Sequence, residues 1–310
     1  MPIIGWIFPG QGAQSYKMGH SFQERKSFTR IIRLVEDVTG KPVQHYITKT
    51  TESELRQTDC AQLSIFAMSS AITFCLREEG ITPQFAAGHS LGHFSALAAA
   101  GALRLEDAAQ LVALRGDLML RSNQDTPGFM ASILGVSANV LENILADNKL
   151  QVWVANLNLS NQVVISGCVI DKDEAQSNIL KLGGRWVPIN VSGAFHSPLL
   201  EAESNIFSKK IMETVFTTPH CPIISNINGK PLHSIDTIRD DLTKHMTNQV
   251  RWISVMNQFS IMPSEAIIEV GPGKILTDLA LRYNRKLRVF STGTQALLDR
   301  VILNLKGNQK

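Results

Sequence analysis

The sequence predicts an α/β body built on a parallel sheet and interrupted by a small α+β insertion. Three observations predict it. Short apolar strands followed by glycine turns and helices open the chain and return near its end, the succession that builds a parallel layer. Between them, Phe129 to Val191 changes to strand, helix, strand, strand, helix, strand, the order of a ferredoxin-like unit. Lastly, 310 residues, 44% of them apolar and 18% charged, suffice for one large domain or two unequal ones without a disulfide or metal staple.

The elements follow in order. Ile3 to Phe8 is an apolar run ending in Pro9-Gly10-Gln11-Gly12, read as a buried strand entering a tight glycine turn. Helical patterns cover Phe22 to Thr39 and Cys60 to Glu79. Phe85-Ala86-Ala87 is a second short strand, Gly88-His89-Ser90-Leu91-Gly92 its turn, and an alanine-rich helix follows and stops at Gly101. Leu105 to Arg121 is another helix. Pro127-Gly128 then breaks the pattern. The insertion's strands are Met130 to Leu134, Gln151 to Asn156, Gln162 to Gly167 and Arg185 to Val191, and its helices are Ala138 to Asp147 and Lys172 to Leu182. After His196 the body resumes with a helix over Leu199 to Thr214, the segment Ile223 to Asn228, and a strand Ala266 to Val270 that turns at Gly271-Pro272-Gly273 into a helix. The expected division is residues 1–125 with 192–310 as a discontinuous body, and 126–191 as a small lid over a cleft.

Composition excludes several classes. A balance of 30 basic against 27 acidic side chains is too mild for nucleic-acid binding, which shows a dense basic patch. Two local clusters, Lys181 to Arg185 and Arg282, Arg285, Lys286 and Arg288, suit either solvated surface or an acidic partner. The longest apolar stretches, such as Ser95 to Leu103, fall short of the ~18 residues a membrane span needs, and Met1 to Phe8 carries no secretory signal pattern. Cys60, Cys75, Cys168 and Cys221 are widely spaced without a C-x-x-C pair, which argues against zinc and disulfides and reads as small buried hydrophobes. The expectation is a soluble, cytoplasmic, monomeric protein with neither nucleic-acid nor membrane partners.

One motif carries chemistry. Gly88 to Gly92 matches G-x-S-x-G between a strand and a helix, where roughly 0.1 matches are expected by chance in a chain this long. The spacing is steric: a nucleophile on a strained turn needs flanking glycines so that neighbouring backbone can approach. The same turn sets the Leu91 amide at a helix N-terminus, where it can meet an oxyanion. A serine needs a base. Of eight histidines, His196 stands in the Gly/Pro-marked turn Ser192 to Pro198 at the expected cleft edge, whereas His20, His45, His220 and His233 lie in polar segments. Arg115 falls within the apolar stripe Ala108, Leu111, Val112, Leu118 and Met119 of its helix. A buried guanidinium needs a carboxylate, and two remain open: an internal partner such as Glu106, or a substrate.

At these residues the chain resembles the malonyl-CoA:acyl carrier protein transacylases of fatty acid synthesis and the related acyltransferases of polyketide synthesis. The resemblance runs nearly end to end. Phe8 to Gln14 resembles the opening F-P-G-Q-G-x-Q, Gly88 to Gly92 the G-H-S-x-G, and Arg115-Gly116 the end of L-x-x-x-R-G. Asn156-Leu157-Asn158 with Gln162 to Gly167 is similar to the small subdomain's strand pair, Gly193 to Ser197 to the histidine loop, and Glu269 to Gly273 to the late turn. It implies an α/β-hydrolase-like body with a ferredoxin-like insertion and ping-pong transfer of malonyl from malonyl-CoA to the phosphopantetheine thiol of an acyl carrier protein, without metal or cofactor. It further implies Ser90 as nucleophile, His196 as general base and acid, the amides of Gln11 and Leu91 as oxyanion hole, and Arg115 as the ligand of the malonyl carboxylate. A backbone carbonyl seven residues before a tryptophan orients the family's histidine, and counting back from Trp252 gives His245, where the family usually has glutamine. His93 replaces the glutamate that bacterial fatty acid members often carry, and reads as a helix residue at the cleft rim. Phe195 resembles the residue of malonyl-selective members, since its ring leaves little room for an α-methyl group.

Three other readings compete. An acyl hydrolase of the same fold would tend to lack the arginine. An esterase would want an acid between Ser90 and His196, with Asp171 or Glu174 as candidates inside the insertion. A decayed, non-catalytic docking module would not need Ser90, His196 and Arg115 together.

Overall fold

The computed structural model describes residues 3–191 and 193–307; Ser192, the expected start of the body's second segment, lies outside the described residues. The chain opens on strand β1 (Ile4–Phe8) and continues through helices α1 (Lys26–Thr39), α2 (Val43–Thr48), α3 (Glu52–Leu55) and α4 (Thr58–Glu78) to β2 (Phe85–Gly88), α5 (Gly92–Ala99) and α6 (Leu105–Asp125). Strand β3 (Gly128–Leu134), helix α7 (Ala138–Asp147), strands β4 (Val152–Leu159) and β5 (Gln162–Cys168), helix α8 (Lys172–Lys181) and strand β6 (Arg185–Ile189) form the insertion. Then come α9 (Glu201–Glu213), β7 (Ile223–Ile224), β8 (Pro231–Leu232), α10 (Ile235–Lys244), α11 (Trp252–Ile261), β9 (Ala266–Glu269), α12 (Ile275–Tyr283), β10 (Val289–Ser291) and α13 (Gln295–Gly307).

The large sheet has the order β10-β9-β1-β2-β7-β8 and is parallel from β10 to β7, with only the short β8 reversed. Its strands read as continuous apolar runs because helices cover both faces. On β1 the period of two divides the core. Ile4, Trp6 and Phe8 pack into one hydrophobic cluster, and Ile7 joins Phe85, Trp252 and Phe259 in another on the opposite face. Gly5 faces that second layer, where a side chain would strike the Phe85 ring. Helix α4 is long and apolar enough to cross a membrane, yet 89% of its apolar window is buried within the protein, so it is the central helix of the core.

The insertion is a four-stranded antiparallel sheet, β4-β5-β3-β6, in which β3 pairs with both β5 and β6. This is the split β-α-β arrangement with its own core around Phe129, Ile133, Leu141 and Ile179. It is tied to the body by main chain: Val250 N donates to Ala155 O at 2.8 Å and Leu157 N to Val250 O at 2.8 Å. One expectation needs correction: Cys168 is half-buried, unlike Cys60, Cys75 and Cys221. The segment Ile223 to Asn228 holds the two-residue strand β7, after which Ser225 turns the chain by accepting from the amides of Ile227 and Asn228.

Candidate active site

The site lies at the carboxyl ends of the adjacent strands β1 and β2, where parallel sheets open their crevice. Strand β2 runs into the turn that carries Ser90, and α5 leaves it. Ser90 has a positive φ of 49°, a left-handed conformation that costs a non-glycine residue on the order of 1–3 kcal/mol. The flanking glycines are obligatory. A Cβ on Gly88 would collide with the backbone of Gly92 and His93, and one on Gly92 with the carbonyl of Phe8. His89 is fixed by a 3.0 Å contact of its Nε2 with Asn158 Oδ1 on β4, so the elbow is braced by the insertion.

His196, 106 residues away in sequence, meets the serine: its Nε2 is 2.7 Å from Ser90 Oγ. Its Nδ1 is 3.0 Å from the carbonyl oxygen of Asn248. A carbonyl only accepts, so Nδ1 carries the ring hydrogen and Nε2 is left as the acceptor for the serine hydroxyl. The orienting carbonyl is therefore that of Asn248, three residues beyond the His245 reached by counting from Trp252. Helix α10 ends at Lys244, and the Asn248 amide still bonds back to Lys244 O; this frayed last turn leaves its carbonyls free to accept from outside. The His245 carbonyl gives secondary support, while its ring packs edge-on against His196 with centroids 6.0 Å apart. His196 too has a positive φ, 57°. Burial, then the charges of Arg115 and His89, push it from 6.5 down to about 3, so the free enzyme holds it as a neutral base.

Arg115 is 1% exposed. Its Nη1 donates to Gln62 Oε1 at 2.6 Å and its Nη2 to Ser90 Oγ at 3.1 Å. Among the described residues no carboxylate lies within ion-pair distance of it; Glu106 pairs with Arg104 instead. Burial pulls its guanidinium down to about 9, still charged at neutral pH. Gly116 explains why glycine follows it: a side chain there would press on the Asp59 backbone and hold α6 away from α4, which carries Gln62.

Gln11, Ser90, Arg115, Phe195 and His196 share one cleft with Met119, Met130, Asn156, Ile189 and Val191, with about 70 Å³ of room. Among the described residues the amides of Gln11 and Leu91 donate to no protein acceptor, and Leu91 caps the N-terminal end of α5. Phe195 is 4% exposed, with its ring folded back over Gly193. The esterase reading finds no support in this geometry: His196 Nδ1 faces a carbonyl, and Asp171 accepts from the Gln151 amide inside the insertion. His20, His45, His220 and His233 are exposed as expected. His93, expected at the rim, is fully buried. Sequence reasoning missed Gln62, whose signal was a long amide side chain in the buried stretch of a helix whose other buried polar residues are small hydroxyls. Among the described residues no three His, Cys, Asp or Glu side chains are arranged so that they could hold a metal ion.

A strained serine, a neutral histidine bonded to it, two free amides and an unpaired arginine define a serine-dependent acyltransferase of α/β architecture. Residues 5–305 match the acyl transferase domain family. The malonyl CoA-acyl carrier protein transacylase of Bacillus subtilis (strain 168) is 32% identical over 312 residues, covering 99% of this chain and 98% of the relative. A solved malonyl-transacylase held in complex with its type II polyketide synthase acyl-carrier protein superposes with a TM-score of 0.93 at 28% identity, covering 97% of this chain and 99% of the other. FabD from Acinetobacter baumannii gives a TM-score of 0.92 at 27% identity, covering 98% of both chains. The chain belongs to the acyl transferase domain family.

Proposed function

We propose that the chain transfers a malonyl group from malonyl-CoA to the phosphopantetheine thiol of an acyl carrier protein, through a malonyl ester on Ser90. The observation that carries this reading is Arg115, a buried cation with no protein carboxylate, 3.1 Å from the nucleophile. A planar guanidinium fork matches a carboxylate, so an acyl group ending in one answers the vacant charge. A hydrolase or transferase for neutral acyl groups would leave that charge buried and unanswered.

The steps follow from the groups. His196 Nε2 takes the proton of the Ser90 hydroxyl as Oγ attacks the thioester carbonyl. The oxyanion is received by the amides of Gln11 and Leu91. The carbon–sulfur bond breaks, and the proton on His196 leaves with the CoA thiol. The carrier's thiol then gives its proton to His196, attacks the ester, and Ser90 recovers its hydrogen. Arg115 also sets the timing. Its charge depresses the basicity of His196 in the empty site, and a bound carboxylate offsets that charge, so the base strengthens once the right acyl group is in place. Phe195 closes the cleft against an α-methyl group. No step requires a metal or cofactor.

The malonyl group and the pantetheine arm are common to fatty acid and polyketide carriers, so this chemistry serves either pathway. Exposed Arg282, Arg285, Lys286 and Arg288 offer a positive face to an acidic carrier. The reading places the enzyme in the cytoplasm, as a monomer. Competition labelling tests it: radiolabelled malonyl-CoA should acylate Ser90 and pass the label to a holo carrier protein, and faster labelling by acetyl-CoA or methylmalonyl-CoA would overturn it.

A further inference from the structure

Behind His196 the body buries a second cluster of titratable groups that the transfer steps do not use. His93, in the first turn of α5, is 0% exposed, and Asp241, on α10, is 5% exposed. His93 Nε2 stands 3.2 Å from Asp241 Oδ2, within ion-pair distance though not aligned as a hydrogen bond, and Asp241 Oδ1 accepts from the Ser225 hydroxyl. The His93 ring stacks on His245, with centroids 5.5 Å apart and planes 20° from parallel. His245 in turn meets His196 edge-on at 6.0 Å and Phe94 edge-on at 5.6 Å. The Asn226 amide nitrogen, 3.1 Å from His245 Nε2, holds that ring from the other side. His93 and His245 are the two positions at which the sequence departs from the motifs it resembles, and they touch each other. A carboxylate thus reaches, through two stacked imidazoles, the histidine that must become cationic, whose Nδ1 faces carbonyls among the described residues.

We propose that Asp241 is a positioning residue for His196, acting through the stacked rings of His93 and His245 to support the imidazolium that forms during acyl transfer. A buried carboxylate is costly unless it serves a partner, and in a dry interior its field extends over ring-to-ring distances. The groups around His245 are otherwise cationic or neutral: Arg115 from α6, His93 from α5, His196 from its loop and His89 from the elbow. Among the described residues Asp241 is the one acid in this cluster, and the chemistry of acylation puts a positive charge on His196. The proposal rests on the malonyl-transfer reading.

The test measures malonyl transfer against pH in Asp241→Asn, His245→Gln and the double variant, with thermal melting of each. Asp241→Asn keeps the size and can still accept from Ser225, and His245→Gln keeps the backbone while removing the ring. Each single variant should lower kcat about tenfold, the equivalent of one pKa unit on the base, leave KM for malonyl-CoA unchanged, and move the acidic limb of kcat to lower pH. The double variant should be no worse than either single one, because the rings carry the effect of the charge. A wild-type limb and kcat in the folded variants, or losses that multiply in the double variant, would overturn the proposal; so would a lowered melting temperature with kcat and KM changed together and the limb unmoved. If Asp241→Asn fails to fold, His245→Gln alone decides it by the same limb. Absence of malonyl uptake by the wild type would instead overturn the transfer reading itself, and the proposal with it.

Discussion

Arg115 Nη2 and Ser90 Oγ are 3.1 Å apart, and the guanidinium is buried without a carboxylate to answer it. In the proposed reaction, the cation that selects the substrate and the oxygen that attacks it are thus hydrogen-bonded to each other. Replacing Arg115 with alanine should cut malonyl labelling of Ser90 about 10- to 150-fold, the worth of about 1.5–3 kcal/mol from hydrogen bonds to a charged group. Acetyl labelling should hold or rise, since His196 is also relieved of a neighbouring positive charge. Competition between labelled malonyl-CoA and acetyl-CoA reads both effects, and an unchanged malonyl preference would refute the assignment.

The strain at Ser90 predicts a trade between stability and activity. Both Ser90→Ala and Ser90→Gly remove the hydroxyl and should abolish labelling. Only glycine adopts a φ of 49° without penalty, so the glycine variant should be about 1 kcal/mol more stable than the alanine variant. Chemical denaturation of the pair measures the difference directly. Equal midpoints would mean that the elbow stores no strain.

How much of this was legible in the sequence depends on the kind of group. The elbow was legible because its cause is local: Gly88 and Gly92 are glycines since any Cβ would strike backbone, and the pattern records that requirement. Arg115 was legible as a charge inside an apolar stripe, although its freedom from Glu106 was not. Asn248 was illegible in principle, because it works through a backbone carbonyl and any side chain supplies one. The His93, His245 and Asp241 cluster escaped because it requires α10, whose start is marked by Ser234 with Thr237 three residues on, a weaker signature than serine with glutamate.

Acid should unfold the protein through its buried histidines. His196 is held from 6.5 down to about 3, and burial lowers His89 and His245 as well. The unfolded chain therefore binds protons that the folded chain refuses. For His196 the stabilising contribution is fully present above pH 6.5 and is lost as pH falls towards about 3, with a slope of about 1.4 kcal/mol per pH unit, and His89 and His245 add to the loss in the same direction. His196→Asn, with a residue that tolerates positive φ, should remove one proton from this uptake. Urea unfolding of both proteins at several pH values between 6.5 and 4 should give a shallower dependence in the variant; parallel lines would show that His196 is not held neutral.

The insertion should govern catalysis through one pair of main-chain bonds. Val250 joins β4 by donating to Ala155 O and accepting from Leu157 N, and it lies two residues after Asn248, whose carbonyl fixes the His196 tautomer. Val250→Pro deletes the donated bond and leaves the acceptor, so the loop is freed on one side while its side-chain contacts in the core largely remain. A displacement of the carbonyl by about 1 Å would misalign the base, an error that costs up to about 100-fold in rate. The expected result is a kcat lowered at least about tenfold with a smaller change in KM. Gln249→Ala, which loses side-chain bonds to Val154 O at 3.2 Å and to Glu142 Oε1 at 3.3 Å but keeps both main-chain bonds of Val250, should change kcat far less. A proline variant that transfers malonyl at the wild-type rate would show that the insertion covers the cleft without setting its geometry.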